Sequence, residues 1–129
     1  MILLDTHIWI WWVQEEHKLS AAAYAAIQEQ ETLGIGVSVF SCWEVAKLVE
    51  LKRLNLPCSV LAWFNQALAY PGIRLLPLTP EIVVTSTELQ NFHRDPADQI
   101  IVATAKVYGC PLVTVDTKIV GYSEIETIS

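Results

Sequence analysis

The chain has 129 residues, 53 % of them hydrophobic, with a mean hydropathy of +0.38. That size and apolar content fit one domain, residues 1–129, with a closed core, and they exclude an intrinsically disordered chain. Eight basic residues against fourteen acidic give a net charge of −6, which argues against non-specific nucleic-acid binding, because such affinity comes from neutralising phosphates.

Ile2–Leu4 reads as a short buried strand that ends at Asp5. Trp9 and Trp12 are three apart, the inner stripe of a short helix, so Trp9, Trp11 and Trp12 are assigned to packing or an interface rather than to base stacking. Leu19–Glu31 is a helix with Ser20 as its N-cap. Gly34 and Gly36 break the pattern before a strand at Val37–Phe40. Ser41 starts a helix running to about Arg53, and Pro57 follows it. Ser59–Ala69 is a further helix, with Trp63 and Phe64 in the core, ended by Pro71-Gly72. Ile73–Leu76 is a third strand. Thr79 caps a helix with Pro80 at its first position. Asp95-Pro96 opens another helix over Pro96–Tyr108, which Gly109 stops. Leu112–Val115 is a strand of apolar and β-branched residues, and a weak last strand lies in Ile125–Ile128.

Strands alternating with helices predict an α/β, three-layer fold: a mainly parallel sheet of four or five strands with helices on both faces. No apolar run reaches the ~20 residues of a membrane span, and the N-terminus has no basic leader or small-residue cleavage site. Cys42, Cys58 and Cys110 form no C-x-x-C and read as reduced thiols of a cytoplasmic protein. The apolar surplus on so small a domain points to a covering partner or a second copy.

In a parallel sheet, functional groups collect at the carboxyl ends of the strands. Asp5 and Asp116 each end a strand there, Glu44 lies in the first turn of the helix leaving that edge, and Asp98 lies in the first turn of the helix after Asp95-Pro96. Capping accounts for two of them: Ser41-Cys42-Trp43-Glu44 is a capping box, and Asp98 sits where the helix dipole favours an acid. It does not account for Asp5 and Asp116, since Ser or Asn would turn the chain as well. Four acids on one edge repel one another, and a divalent cation relieves the repulsion. Oxygen ligands without a His or Cys cluster favour Mg²⁺ or Mn²⁺. The matching chemistry is hydrolysis of a phosphodiester by a metal-activated water.

The segments LLDTH, SCWEVAKL, HRDPADQIIVATA and LVTVD, in that order, resemble the PIN-domain ribonucleases, with the greatest similarity to the VapC-type toxins of prokaryotic toxin–antitoxin pairs. The resemblance covers nearly the whole chain and implies an Mg²⁺-dependent endoribonuclease, with Mn²⁺ as a substitute. It makes Asp5, Glu44, Asp98 and Asp116 the acidic quartet: Asp5 and Asp98 as principal ligands, Glu44 and Asp116 completing the site or holding waters of a second ion. Thr6, Thr114 and Asp95 would be supporting polar residues. The family's habits imply RNA as substrate, a homodimer, and a cognate antitoxin occupying a groove near the site.

Basic residues near these motifs are few: Lys47, Arg94 and Lys118 are the candidate phosphate contacts. His7 and His93 lie close to motif acids, but their spacing forms no metal or nucleophile pattern, and His17 reads as surface. Two alternatives compete. A haloacid-dehalogenase-type phosphatase also ends its first strand in Asp but needs a second Asp where this chain has His7. A catalytically silent PIN-like binding module would keep the acids only as caps.

Overall fold

A computed structural model describes residues 1–129. The elements run β1 (Ile2–Leu4), α1 (Thr6–Val13), α2 (Ala21–Gln30), β2 (Ile35–Ser38), α3 (Val39–Glu50), α4 (Val60–Leu68), β3 (Ile73–Leu76), α5 (Pro80–Thr87), α6 (Pro96–Tyr108), β4 (Leu112–Val113) and β5 (Thr127–Ile128). The five strands stand in the order β3-β2-β1-β4-β5, and every pairing is parallel. The chain builds outward from β1 through β2 to β3, then crosses back to place β4 and β5 on the other side of β1. The boundary between β1 and β4 is therefore the topological switch point, where a crevice opens at the strands' carboxyl ends.

Alternation along β1 divides the interior in two. Ile2 and Leu4 point into a core with Ile8, Trp9 and Ile10 of α1, Ala23 and Ile27 of α2, Val45 of α3 and Trp63 of α4. Leu3 points the other way, to Ile101, Val102 and Ala105 of α6, Leu112 and Ile119. Helices thus cover both faces, which makes the three layers. Trp9 has no exposed surface, stacks parallel to Phe64 and meets Trp63 edge-on at 4.9 Å.

Ser20, Thr79 and Asp95 cap the helices they were expected to cap, Ser59 caps α4 rather than lying in it, and Gly109 ends α6 at φ 61° in the left-handed region. Several boundaries differ from the sequence reading. The second strand is Ile35–Ser38, not Val37–Phe40, and Phe40 belongs to α3. Gly36 does not break this strand: a Cβ there would lie 3.0 Å from Leu76 Cδ1 and 3.3 Å from the Ile2 carbonyl, so glycine lets neighbouring strands close in. Ser38 Oγ accepts from Phe40 N at 3.1 Å and is the true N-cap of α3. Ser41 lies inside the helix, Glu44 lies beyond its first turn, and the capping box does not form. The fourth strand stops at Val113 rather than Val115. Thr114 still donates its N–H to Ile128, but the chain then turns at Asp116, whose carbonyl accepts from Ile119 N and Val120 N. The last strand is also shorter than expected, only Thr127–Ile128.

Candidate metal centre

Asp5 follows β1 and is the N-cap of α1. Its Oδ1 accepts from Thr6 N at 2.8 Å, and its Oδ2 accepts from Thr114 Oγ1 at 2.7 Å. Thr114, fully buried beyond β4, also accepts from Asp116 N at 3.1 Å. One hydroxyl therefore ties Asp5 and the backbone of Asp116 together across the switch point. Asp116 Oδ1 accepts from Lys118 N at 2.9 Å, which fixes the turn that carries it.

From α3, Glu44 Oε1 accepts from Thr6 Oγ1 at 2.6 Å, and the same threonine oxygen is hydrogen-bonded to Ser41 Oγ at 2.8 Å. Thr6 and Ser41 are both buried. Asp95 Oδ1 caps α6 by accepting from Ala97 N at 2.9 Å and Asp98 N at 3.4 Å. Asp98, in the first turn, has Oδ2 3.1 Å from His93 Nε2.

Charge links these groups as well as hydrogen bonds. Burial, followed by the charges of Asp116, Asp95 and Asp5, pushes the Asp98 carboxyl up to about 6, with only His93 opposing. Burial also raises Asp5, against the hydrogen bonds from Thr114 and Thr6, and Asp116 adds to the rise. Glu44 is raised by burial, then by Asp5 and Asp95. Asp5, Glu44 and Asp98, on three different segments, are thus desolvated within range of other acids, and none of them is paired with Lys or Arg.

The donor set fits a hard divalent cation: carboxylate oxygens, neutral hydroxyls holding them, and an uncompensated negative field. No three acidic, histidine or cysteine side chains stand at chelating distance as placed. Three of the carboxylates are turned onto Thr6, Thr114 and His93.

The predicted supporting residues Thr6, Thr114 and Asp95 are all at the site. The basic candidates are not uniformly there: Lys47 is paired with Glu50 at 2.6 Å, so it faces its own helix rather than the carboxylates. Arg94 and Lys118 are exposed and form no ion pair. The sequence reading weighed His93 and set it aside, and it took Ser41 for a helix start; the structure places His93 on Asp98 and Ser41 behind Thr6. Ser41 was hidden by the false cap. His93 precedes Asp98 by five residues, a spacing that meets only because the Asp95 cap folds the chain back.

A separate groove of about 720 Å³ lies between the end of α1, the start of α2 and α4, lined in part by Trp11, Trp12, Val13, Tyr24 and Tyr70. None of the site carboxylates lines it, so the apolar groove lies at the end of α1 away from the acids, not beside them.

The PIN domain family profile matches residues 2–124. Ribonuclease VapC22 of Mycobacterium tuberculosis is 38 % identical over 119 residues, which are 92 % of this chain and 88 % of that protein. Among solved structures, VapBC2 of Rickettsia felis, bound to a DNA fragment from its promoter, is similar with a TM-score of 0.69 over 100 % of both chains at 16 % identity. VapC20 of Mycobacterium tuberculosis, a toxin that cleaves the sarcin–ricin loop, has a TM-score of 0.62 over 98 % of this chain and 99 % of that one at 15 % identity. The two structural likenesses establish the fold. The family profile and the similarity to Ribonuclease VapC22 show that this chain belongs to the PIN domain family, on its VapC branch.

Proposed function

We propose that the protein is a divalent-metal-dependent endoribonuclease, the toxin of a toxin–antitoxin pair, with Mg²⁺ as its ion and Mn²⁺ as a substitute. The observation that carries this reading is the convergence of Asp5, Glu44, Asp98 and Asp116 on the β1–β4 switch point, with Asp5, Glu44 and Asp98 desolvated and none of the four paired with Lys or Arg. The similarity to Ribonuclease VapC22 supports RNA as the substrate class.

In this reading Asp5 and Asp98 are the principal ligands, and Glu44 and Asp116 complete the site. A bound divalent ion lowers the pKa of a water, aligns it and offsets charge on the phosphate. The chain's own contribution is to hold the carboxylates ready. Thr114 keeps one Asp5 oxygen turned and fixes the turn of Asp116, while Thr6 keeps Glu44 in place from the first residue of α1. Burial by both cores limits the water that would otherwise screen the charges. Arg94 and Lys118, exposed beside Asp95 and Asp116, are the residues assigned to the RNA phosphates.

Capping alone does not account for Asp5, Glu44 and Asp116 as a silent module would require, because the capping box is absent and Asp5 turns its second oxygen to Thr114. His7, exposed, stands where the phosphatase alternative needs a carboxylate. The structures that VapBC2 represents support an antitoxin partner. The groove between α1, α2 and α4 is its expected seat. A second copy is assigned to the exposed Leu78, Val83 and Val84 around α5. No helix is long and apolar enough to cross a membrane, and the three cysteines are unpaired, in keeping with a cytoplasmic toxin.

Cleavage of single-stranded RNA by wild type and Asp98→Asn, each with Mg²⁺ and with EDTA, tests the proposal. Wild type cleaves only with the metal. Asp98→Asn loses more than the ~10–100-fold that removing a ligand's supporting partner costs. Cleavage by wild type in EDTA, or full activity in the variant, would refute the assignment.

A further inference from the structure

Behind Asp98 stands a chain of contacts that begins near the C-terminus. The loop 88–95 joins α5 to α6 and is gripped at both backbone groups of one residue. Gln90 N donates to Glu124 Oε2 at 2.9 Å, and the Gln90 carbonyl accepts from Tyr122 Oη at 2.6 Å. Tyr122 Oη is also 2.8 Å from that same Glu124 oxygen, and Lys106 of α6 pairs with the other. The Tyr122 ring meets Phe92 with centroids 4.8 Å apart, and Phe92 lies 4.4 Å from the His93 ring.

His93 is fixed in its turn. Its Nδ1 accepts from Asp95 N at 3.3 Å, and its carbonyl accepts from Gln99 Nε2 at 3.1 Å. With Nδ1 used as an acceptor, the neutral ring carries its proton on Nε2, the atom 3.1 Å from Asp98 Oδ2. That nitrogen is sealed from water, and its approach to Asp98 is off the hydrogen-bond line. A small displacement of the loop therefore decides whether the contact is made.

We propose that Tyr122 and Glu124 are positioning residues for Asp98: they clamp the loop, the loop seats His93, and His93 holds the Asp98 carboxylate. Tyr122 and Glu124 touch none of the site carboxylates, so they reach Asp98 indirectly, through the loop that carries His93. The purpose of the relay rests on Asp98 being a cation ligand; its geometry does not. Imidazoles that orient metal-binding carboxylates, and the groups behind them, set ligand direction and so affinity.

The test follows the His93 Cε1–H resonance and the calorimetric Kd for Mn²⁺, at one fixed pH, in wild type, Tyr122→Phe, Glu124→Gln, His93→Ala and His93→Gln. The resonance is assigned by its absence from the two His93 variants. Tyr122→Phe keeps the ring against Phe92 and removes only the hydroxyl. It is expected to move the His93 resonance, leave those of His7 and His17 in place, and weaken Mn²⁺ binding about tenfold. Glu124→Gln gives the same result by a change that leaves the aromatic packing alone. His93→Ala loses as much affinity, and His93→Gln, whose amide restores a donor, recovers most of it. An unmoved His93 resonance in both clamp variants, or wild-type Mn²⁺ affinity in His93→Ala, would overturn the relay. If wild type takes up no Mn²⁺, the cation reading of the site fails. The resonance then decides the relay alone: movement supports it and constancy overturns it.

Discussion

At its first turn α1 delivers Asp5 and Thr6 into a pocket of carboxylates, and at its last Trp11, Trp12 and Val13 line an open apolar groove. The ends of an eight-residue helix lie only about 12 Å apart at 1.5 Å per residue, yet they present opposite unmet demands. The pocket has too much like charge. The groove has too much apolar surface and lacks a cover. Each region is costly to the isolated chain for the reason that makes it useful: repulsion that an ion would relieve, and hydration of aromatic rings that a partner would remove. What joins them is Trp9, midway along α1 and fully buried against Trp63 and Phe64.

That junction gives the strongest way to break the comparison. Trp9→Ala removes the packing on which both ends depend, and it should destabilise the fold by about 3–5 kcal/mol. In urea denaturation its midpoint falls sharply, and cleavage and antitoxin binding are lost together. Loss of one region alone would show that the two ends are not carried by a common core.

A gentler change should separate the regions. Trp12 meets Tyr70 edge-on at 4.8 Å across the groove. Replacing both with alanine should weaken binding of the cognate antitoxin by about 2 kcal/mol or more, the scale of an aromatic hot spot, as read by isothermal titration. RNA cleavage should stay close to wild type, because neither ring touches a site carboxylate. A parallel loss of cleavage would contradict the division.

The sequence was most informative where a local rule and the tertiary structure agree. Proline at a first helical position and a capping Ser, Thr or Asp marked α4, α5 and α6 nearly to the residue. The continuous apolar run Ile2–Leu4 marked a strand buried on both faces. The reading failed where two local signals competed. Ser38 and Ser41 both precede apolar helix residues, and only the approach of Leu76 and Ile2 to Gly36 shows that the strand lies earlier and that Ser38 is the cap. That error made Glu44 look like a capping acid, when it is a mid-helix carboxylate held by Thr6. Asp5, Asp98 and Asp116 were legible because each lies near a strand end or helix start, and Glu44 was legible through a cap that does not form. Their supports were less so: Thr114 meets Asp5 across 109 positions of sequence and Tyr122 meets Gln90 across 32, pairings that no local pattern encodes.

The most direct test of the carboxylate pocket as a cation site is its effect on stability against pH, measured as the thermal midpoint with saturating Mg²⁺ and with EDTA. Burial, then the charges of Asp116, Asp95 and Asp5 with His93 opposing, push the Asp98 carboxyl up to about 6 in the fold, against 3.8 for an ordinary aspartate. Between those values the folded chain binds more protons than the unfolded one, so this group's contribution to stability falls as pH rises from about 4 to about 6. In EDTA the midpoint should decline through that window. Mg²⁺ at about 100 times its Kd should restore roughly 2.7 kcal/mol above pH 6 and have little effect at pH 4, where Asp98 is protonated. A midpoint indifferent to Mg²⁺ at pH 8, or raised by it equally at pH 4, would contradict the account.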